Sequence, residues 1–165
     1  MLLGHIAVSL LLHRYLDADL TPAMAGGMFP DLVDKTLCQV LHLTQSGRMY
    51  AHTLLGLGLS TAIVGAVWGG REARSWGLGY GGHLLADVGG PVPWLYPFRE
   101  YDFAPAPSLG EILRRALGDP AETGLELSLL LWALLAVSGG GAAQAKRRGH
   151  GVSADGVSTP GGRRD

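Results

Sequence analysis

Apolar residues along this chain fall into several runs that are bounded by polar, glycine or proline residues. Within these runs the spacing favours helices, and strand signals are weak. The predicted helical segments, some of them short, cover residues 2–16, 22–29, 31–43, 49–69, 75–88, 108–118 and 123–140. The pattern therefore predicts an all-α chain, a membrane helical bundle of about five to six helices.

Caps and breaks set the expected ends of several of these helices. Thr21 followed by Pro22 is typical of an N-cap and the first helical residue after it. Pro30 is expected to end that helix, because proline lacks the N–H that a helix interior needs. The proline-rich stretch 91–107 is expected to be non-helical.

The length of the apolar runs bears on membrane insertion. Two runs, 49–69 and 123–142, approach the length of about 20 residues that a membrane span requires. The runs at 2–16 and 75–96 are marginal, because they contain His or Asp. A polytopic bundle with two to four spans is therefore expected.

Domain organisation is simple. One membrane-embedded helical domain is expected over residues 1–140. Residues 141–165 are rich in Gly, Arg and Ser without apolar periodicity, and they are expected to form a disordered tail. The apolar N-terminal segment lacks a basic region before it and a clear cleavage site, so it is interpreted as a retained helix.

Composition favours a membrane protein. Hydrophobic residues make up 47% of the chain and charged residues only 16%, whereas a soluble domain usually carries about 25% charged residues. The net charge of −1, without a basic face in the apolar part, argues against nucleic acid as a partner. The expected location is an inner or plasma membrane with several passes, and the expected partners are membrane lipid and a small-molecule or lipid substrate.

Ionisable side chains inside apolar helices are costly, so each of them is a candidate functional residue. His83 and Asp87 are four residues apart on one helix face, where they could hold a cation or simply hydrogen-bond to each other. His52 follows a polar turn, where an interfacial hydrogen bond is the simpler interpretation. His5 lies among apolar residues, where a buried, hydrogen-bonded histidine is simpler. Asp31 follows a proline, where a helix cap is simpler than a ligand.

Taken together, these three histidines and two aspartates predict a metal site. Mixed nitrogen and oxygen donors suit Zn²⁺ best, with Mn²⁺ or Fe²⁺ as alternatives. The chain lacks the HExxH motif of zinc proteases, the GxSxG motif of serine hydrolases and a phosphate-binding loop. Those three common kinds of active site are therefore disfavoured.

The order of these residues resembles a known family. The series consists of His5, PDLVDK at 30–35, RMYAHT at 48–53, GHLLAD at 82–87 and PWLYPF at 93–98. It is similar to the pattern of the YdjM family of membrane-bound metal-dependent hydrolases, over roughly residues 1–100. More distantly, the same order of His, Asp, His and HxxxD is similar to the metal core of zinc-dependent phospholipase C.

The resemblance implies a ligand set and an activity. Asp31, His52, His83 and Asp87 would form one metal centre, and His5 would complete it or help to hold a second metal. The implied activity is hydrolysis of an ester or phosphoester, with a lipid or another amphiphile as the expected substrate.

Two further residues are assigned catalytic roles. Asp34 is expected to be the general base, and a role in supporting a ligand or holding a second metal is also open. Arg48 lies four residues before His52 on the same predicted helix face, where it would clamp a phosphate or mark the membrane interface. Lys35 has the same two interpretations.

Two non-catalytic classes compete with the hydrolase. A metal transporter or sensor would bind the ion without turnover, but transporters usually place the ion on interrupted helices near the bilayer midplane. The third class is a structural or partner-binding membrane protein. It stays open because Gly47 and Gly82 stand where the family pattern has His and Ser.

Overall fold

The computed structural model describes residues 2–88, 90–103, 105–106, 110–111, 114 and 120–151, and within these it contains helices and loops without a strand. The helices are α1 (Leu2–Leu16), α2 (Leu20–Lys35), α3 (Leu54–Trp68), α4 (Gly70–Ala86) and α5 (Pro120–Gly151), and a π-helical turn at Thr36–Val40 extends α2. The predicted all-α class is confirmed, and α1 has the predicted bounds.

Pro30 does not break the chain into two short helices, as the sequence pattern predicted. It lies inside α2, a single helix whose N-cap is Asp19 rather than Thr21. Pro30 is fully buried and α2 packs along α4, so tertiary packing outweighs the hydrogen bond that proline cannot make. Asp31 is therefore an interior helix residue and not a cap.

The third helix begins later than predicted. Residues 49–53 form an irregular loop, and α3 starts at Leu54. The Thr53 hydroxyl accepts a hydrogen bond at 2.9 Å from the backbone N–H of Gly56, which caps the helix at this point. His52 thus stands on a loop immediately before a helix.

The last helix extends past residue 140, where the helical domain was expected to end. Helix α5 continues to Gly151 and includes the first part of the expected disordered tail. Residues 152–165, and all but a few positions of the predicted helix 108–118, lie outside the described residues.

The predicted membrane spans are not confirmed. Among the described residues, no helix combines the length and the apolar character that crossing a membrane requires.

Large apolar side chains nevertheless remain exposed along two helices. They are Leu55, Leu59, Ile63 and Val67 on α3, and Leu127, Leu131, Trp132 and Leu135 on α5. Exposed apolar surface of this extent is typical of a face that contacts a membrane or another protein.

Helix α4 occupies the centre of the bundle and contacts α1, α2 and α3. Its approach to α2 is so close that a Cβ on Gly79 would overlap the backbone of Ala23, and one on Gly26 would overlap the backbone of Trp76. Tyr80 is fully buried beside this crossing. The close contact brings the C-terminal ends of α2 and α4 side by side.

Helix α5 packs against α1, on the outside of the bundle. The backbone N–H of Leu3 donates a hydrogen bond of 3.2 Å to the Glu126 carboxylate, and the Arg14 side chain donates one of 3.1 Å to the Ala136 carbonyl. These contacts hold both ends of α1, the helix that carries His5, against α5.

We expect Gly79→Ala to lower the free energy of unfolding by about 1–3 kcal/mol, the usual cost of overpacking. The physical reason is that the added methyl group overlaps the Ala23 backbone, so the two helices must move apart. Gly81→Ala is the matched control, because no atom lies within 4 Å of its added methyl group. Thermal unfolding in detergent, followed by circular dichroism, measures both. Equal stability of the two variants would show that α2 and α4 are not in backbone contact.

Candidate metal centre

Four side chains from α2, α4 and the loop before α3 point their ligand atoms at one another. His52 Nε2 lies 3.2 Å from His83 Nε2 and 3.6 Å from both Asp31 Oδ1 and Asp87 Oδ2. His83 Nε2 lies 4.0 Å from Asp31 Oδ1 and 3.8 Å from Asp87 Oδ2. The structure thus brings together four of the five predicted ligands at one point.

These separations are those of a metal site. A tetrahedral site with metal–ligand bonds of about 2.0–2.1 Å requires its ligand atoms to stand roughly 3.3–3.4 Å apart. The five separations above lie between 3.2 and 4.0 Å, so small movements of the side chains would suffice. Imidazole nitrogens with carboxylate oxygens are a donor set that suits Zn²⁺, Mn²⁺ or Fe²⁺.

His5, the fifth predicted ligand, joins the same cluster from α1. Its ring stacks on that of His83 with the centroids 4.0 Å apart, and its Nε2 lies 3.8 Å from Asp87 Oδ1. His5, His83 and Asp87 could hold an ion together, as could Asp31, His52 and His83. Because His83 belongs to both triads, His5 either completes the first centre or contributes to a second.

Two buried imidazole nitrogens in the cluster have no hydrogen-bond partner within the described part of the chain. They are His5 Nε2 and His83 Nδ1. Buried polar atoms are almost always paired, since an unpaired one has lost its water without compensation. His5 Nε2, which lies 3.8 Å from Asp87 Oδ1, is therefore a second indication that the cluster holds a ligand. His83 Nδ1, in contrast, is not the nitrogen that faces His52 and Asp31.

Asp34 is the hub that places His52. Its carboxylate, which is 1% exposed, accepts hydrogen bonds from the backbone N–H groups of Met49, Tyr50, Ala51 and His52 at 2.7–3.2 Å. The same carboxylate lies 2.8 Å from His52 Nδ1. The ring nitrogen that faces Asp34 then carries the proton, and Nε2 presents its lone pair to the cluster.

This environment is incompatible with the general-base role predicted for Asp34. A base needs a free lone pair beside the reacting proton, and Asp34 already accepts five hydrogen bonds inside the protein. The alternative interpretation, in which Asp34 supports a metal ligand, fits its surroundings.

Charge in this region is balanced between Asp34 and His52. Burial raises the pKa of Asp34, but hydrogen bonds from His52 and the backbone lower it by more, and the net pKa is below its ordinary value. Burial lowers the pKa of His52, but the carboxylates of Asp31 and Asp34 raise it by more, and the net pKa is above its ordinary value. Protons therefore compete with a metal ion for His52.

Tyr80 is a positioning residue that the sequence pattern did not single out. Its buried hydroxyl donates a hydrogen bond of 2.5 Å to the carbonyl of Ala51, next to His52. Tyr80 lies three residues before His83 and so on the same face of α4. A polar aromatic residue one turn before a candidate ligand was the signal that could have identified it.

Arg48 and Lys35 each pair with a carboxylate of the cluster. Arg48 Nη2 lies 2.9 Å from Asp87 Oδ2, and Lys35 Nζ lies 2.5 Å from Asp31 Oδ2. Arg48 was expected to reach the site from a helix face shared with His52. That reasoning was wrong, because both residues lie on the irregular loop before α3 and its wrapping around Asp34 brings Arg48 to Asp87.

The described structure is thus an all-α protein in which a cluster of imidazoles and carboxylates is buried at one end of the bundle, with metal-site spacing. The YdjM inner membrane protein family matches residues 1–146. The chain belongs to this family, and its location is the inner membrane. No curated protein matches the chain, and no solved structure does.

We expect Asp34→Ala to lower the free energy of unfolding by about 3–5 kcal/mol. The loop before α3 loses the acceptor of four backbone N–H groups, and the imidazole of His52 loses its buried partner. Asp19→Ala is the control, since the Asp19 carboxylate pairs with the exposed Arg71 and its loss costs about 1 kcal/mol or less. Chemical denaturation in detergent measures both, and similar losses would contradict the role of Asp34 as the hub.

The same pair of proteins predicts a pH dependence. Because the pKa of Asp34 is depressed below its ordinary value of 3.8, its stabilisation is complete above that value and is lost as pH falls through the folded-state pKa. The stability difference between wild type and Asp34→Ala, both metal-free, is therefore expected to shrink below about pH 4. A difference that stays constant down to lower pH would mean that the charge of Asp34 contributes nothing.

Proposed function

We propose that this chain is a membrane-bound metal-dependent hydrolase that acts on an ester or phosphoester of a lipid or another amphiphile. The observation that carries the proposal is the convergence of three histidines and two aspartates, all of them buried except the half-buried Asp31, with His5 Nε2 left without a hydrogen bond among the described residues. An inner-membrane location adds support, because amphiphilic substrates collect there.

The metal ion would be held by Asp31, His52, His83 and Asp87, with His5 completing the set or contributing to a second ion. The fit rests on the ligand separations and on His5 Nε2, which has no hydrogen-bond partner among the described residues. A bound Zn²⁺ supplies a water of lowered pKa and polarises the oxygen of an ester or phosphoryl group.

Asp87 is the carboxylate best placed to accept the proton of an attacking water. It is nearly buried, with Oδ2 facing the imidazoles of His52 and His83 and Oδ1 facing His5. It also pairs with Arg48 at 2.9 Å, which orients the carboxylate. Asp34, by contrast, would fix the tautomer and direction of His52.

A non-catalytic metal-binding protein, a transporter, sensor or structural partner, is the second candidate. One observation favours it: four protein ligands are enough to close a tetrahedral site, as in structural zinc sites, whereas catalytic sites keep one position open. Turnover therefore requires a fifth coordination position or one carboxylate that does not bind the metal.

The metal content of the purified protein distinguishes a metal-binding site from a chance cluster of polar side chains. We expect one or two divalent ions per chain in the detergent-purified protein, and loss of most of this content in His52→Ala and His83→Ala. His42→Asn is the control, because His42 is exposed and has a positive φ of 52°, which asparagine tolerates. Elemental analysis after dialysis gives the stoichiometry. Equal metal content in all four proteins would exclude the site.

A hydrolysis assay distinguishes an enzyme from a protein that only binds a metal ion. With metal-loaded protein we expect hydrolysis of a short-chain phospholipid or an aryl phosphate ester. We expect Asp87→Asn to lower kcat/KM by about 100-fold or more, and the metal content of the same sample separates loss of the proton acceptor from loss of a ligand. Asp19→Asn, which lies on the far side of α2, should leave kcat/KM unchanged. Full metal content in wild type without any turnover would favour the non-catalytic candidate.

A further inference from the structure

We propose that Lys35 and Arg48 together form an anion clamp beside the metal centre, and that this clamp restricts the substrate to a phosphate ester rather than a carboxylic ester. The inference rests on the proposed hydrolase function and deepens it by naming the substrate class. It is carried by the positions of the two cations and by the charge of the cluster.

Each cation pairs with a carboxylate that also faces the imidazoles. Lys35 contacts the outer oxygen of Asp31, Oδ2, while Asp31 Oδ1 faces His52. Arg48 contacts Asp87 through Oδ2, the same oxygen that faces His52 and His83. The side chains of Lys35 and Arg48 are 48% and 36% exposed, so both cations are open to solvent while the ligand cluster is buried.

The loop that carries Arg48 also passes close to Lys35, the last residue of α2. The stem of Lys35 passes 3.8 Å from the position that a Cβ would take on Gly47, the residue directly before Arg48. The guanidinium of Arg48 lies against Gly90, just after the C-terminal end of α4, where a Cβ would overlap it. Glycine at position 90 leaves room for the guanidinium of Arg48, and the loop contact at Gly47 places Lys35 near the same rim of the cluster.

The charge count favours an anionic ligand. Three carboxylates, Asp31, Asp34 and Asp87, stand against the two cations, so the cluster with neutral imidazoles has one net negative charge. A divalent ion reverses this to one net positive charge and draws the carboxylates of Asp31 and Asp87 towards itself. The cations then lose part of their pairing and are free to bind an anion.

A phosphate group binds to such a pair of cations better than a carboxylic ester does. A guanidinium binds two phosphate oxygens at once and an ammonium binds a third, whereas a neutral ester carbonyl offers neither the charge nor the oxygens. Stability does not explain the position of Lys35, because an ion pair as exposed as Lys35–Asp31 contributes little to folding.

Inorganic phosphate is the probe for the clamp. Zn²⁺-loaded full-length protein in detergent is titrated with phosphate by calorimetry, for wild type, Lys35→Gln, Arg48→Gln and the double variant. We expect each single substitution to weaken phosphate affinity by about tenfold and the double substitution by more. Arg71→Gln is the matched control, because Arg71 forms an exposed ion pair with Asp19 on the far side of α2. Its phosphate affinity should equal that of wild type.

Metal content, measured on the same samples, keeps the two hypotheses apart. Unchanged phosphate affinity in the double variant with full metal content would overturn the clamp and leave the proposed hydrolase standing. A wild type that holds no metal would overturn both.

A competition experiment distinguishes the two sources of a phosphate ester. Vesicles containing phosphatidic acid and water-soluble glycerol phosphate each compete with inorganic phosphate for the metal-loaded protein. Competition by the vesicles indicates a lipid headgroup, and competition by glycerol phosphate indicates a soluble ester. Either result, if lost in the double variant, supports the clamp, whereas failure of both to compete overturns it.

Discussion

The burial of the Asp34 carboxylate under the loop before α3 is the interaction on which the whole site depends. Desolvation of a carboxylate is costly, and here the cost is offset by four backbone N–H groups and one imidazole. The carboxylate thereby determines the path of the loop, the start of α3 and the direction of His52. Without this carboxylate, four backbone N–H groups of the loop would lose their acceptor, and the loop would not be held against the end of α2.

The crossing of α2 and α4 supplies the second constraint. Glycine on both helices lets their backbones touch, and this brings Asp31 on α2 within reach of His83 near the end of α4. A bulkier contact would separate the two helices by more than the ligand spacing allows. Packing in the middle of the bundle thus sets distances at its end, which is how a rigid scaffold orients a site.

Much of the site could be predicted from the sequence, since charged residues are few and each is costly in an apolar chain. The order of histidines and aspartates gave the five residues that the structure brings together. Spacing alone predicted the shared face of His83 and Asp87, because both belong to the end of one helix. The helical character of the chain could also be predicted, because the spacing of apolar residues is a local property of the sequence.

Three features could not be derived in this way because they depend on tertiary contacts. Pro30 stays inside a helix because α4 packs against α2. This contact cannot be inferred from the residues next to the proline. The loop position of Arg48 follows from long-range hydrogen bonds to Asp34, fifteen or more residues earlier. The same bonds exclude Asp34 as a free base, a distinction that residue type and spacing do not make.

X-ray absorption at the zinc edge of the Zn²⁺-loaded protein tests most directly whether these side chains form one metal centre. The structure predicts nitrogen and oxygen ligands at about 2.0–2.1 Å, with the outer-shell scattering of at least two imidazoles and no sulfur at about 2.3 Å. A spectrum without imidazole scattering, or one with sulfur from Cys38, the single cysteine of the chain, would contradict it.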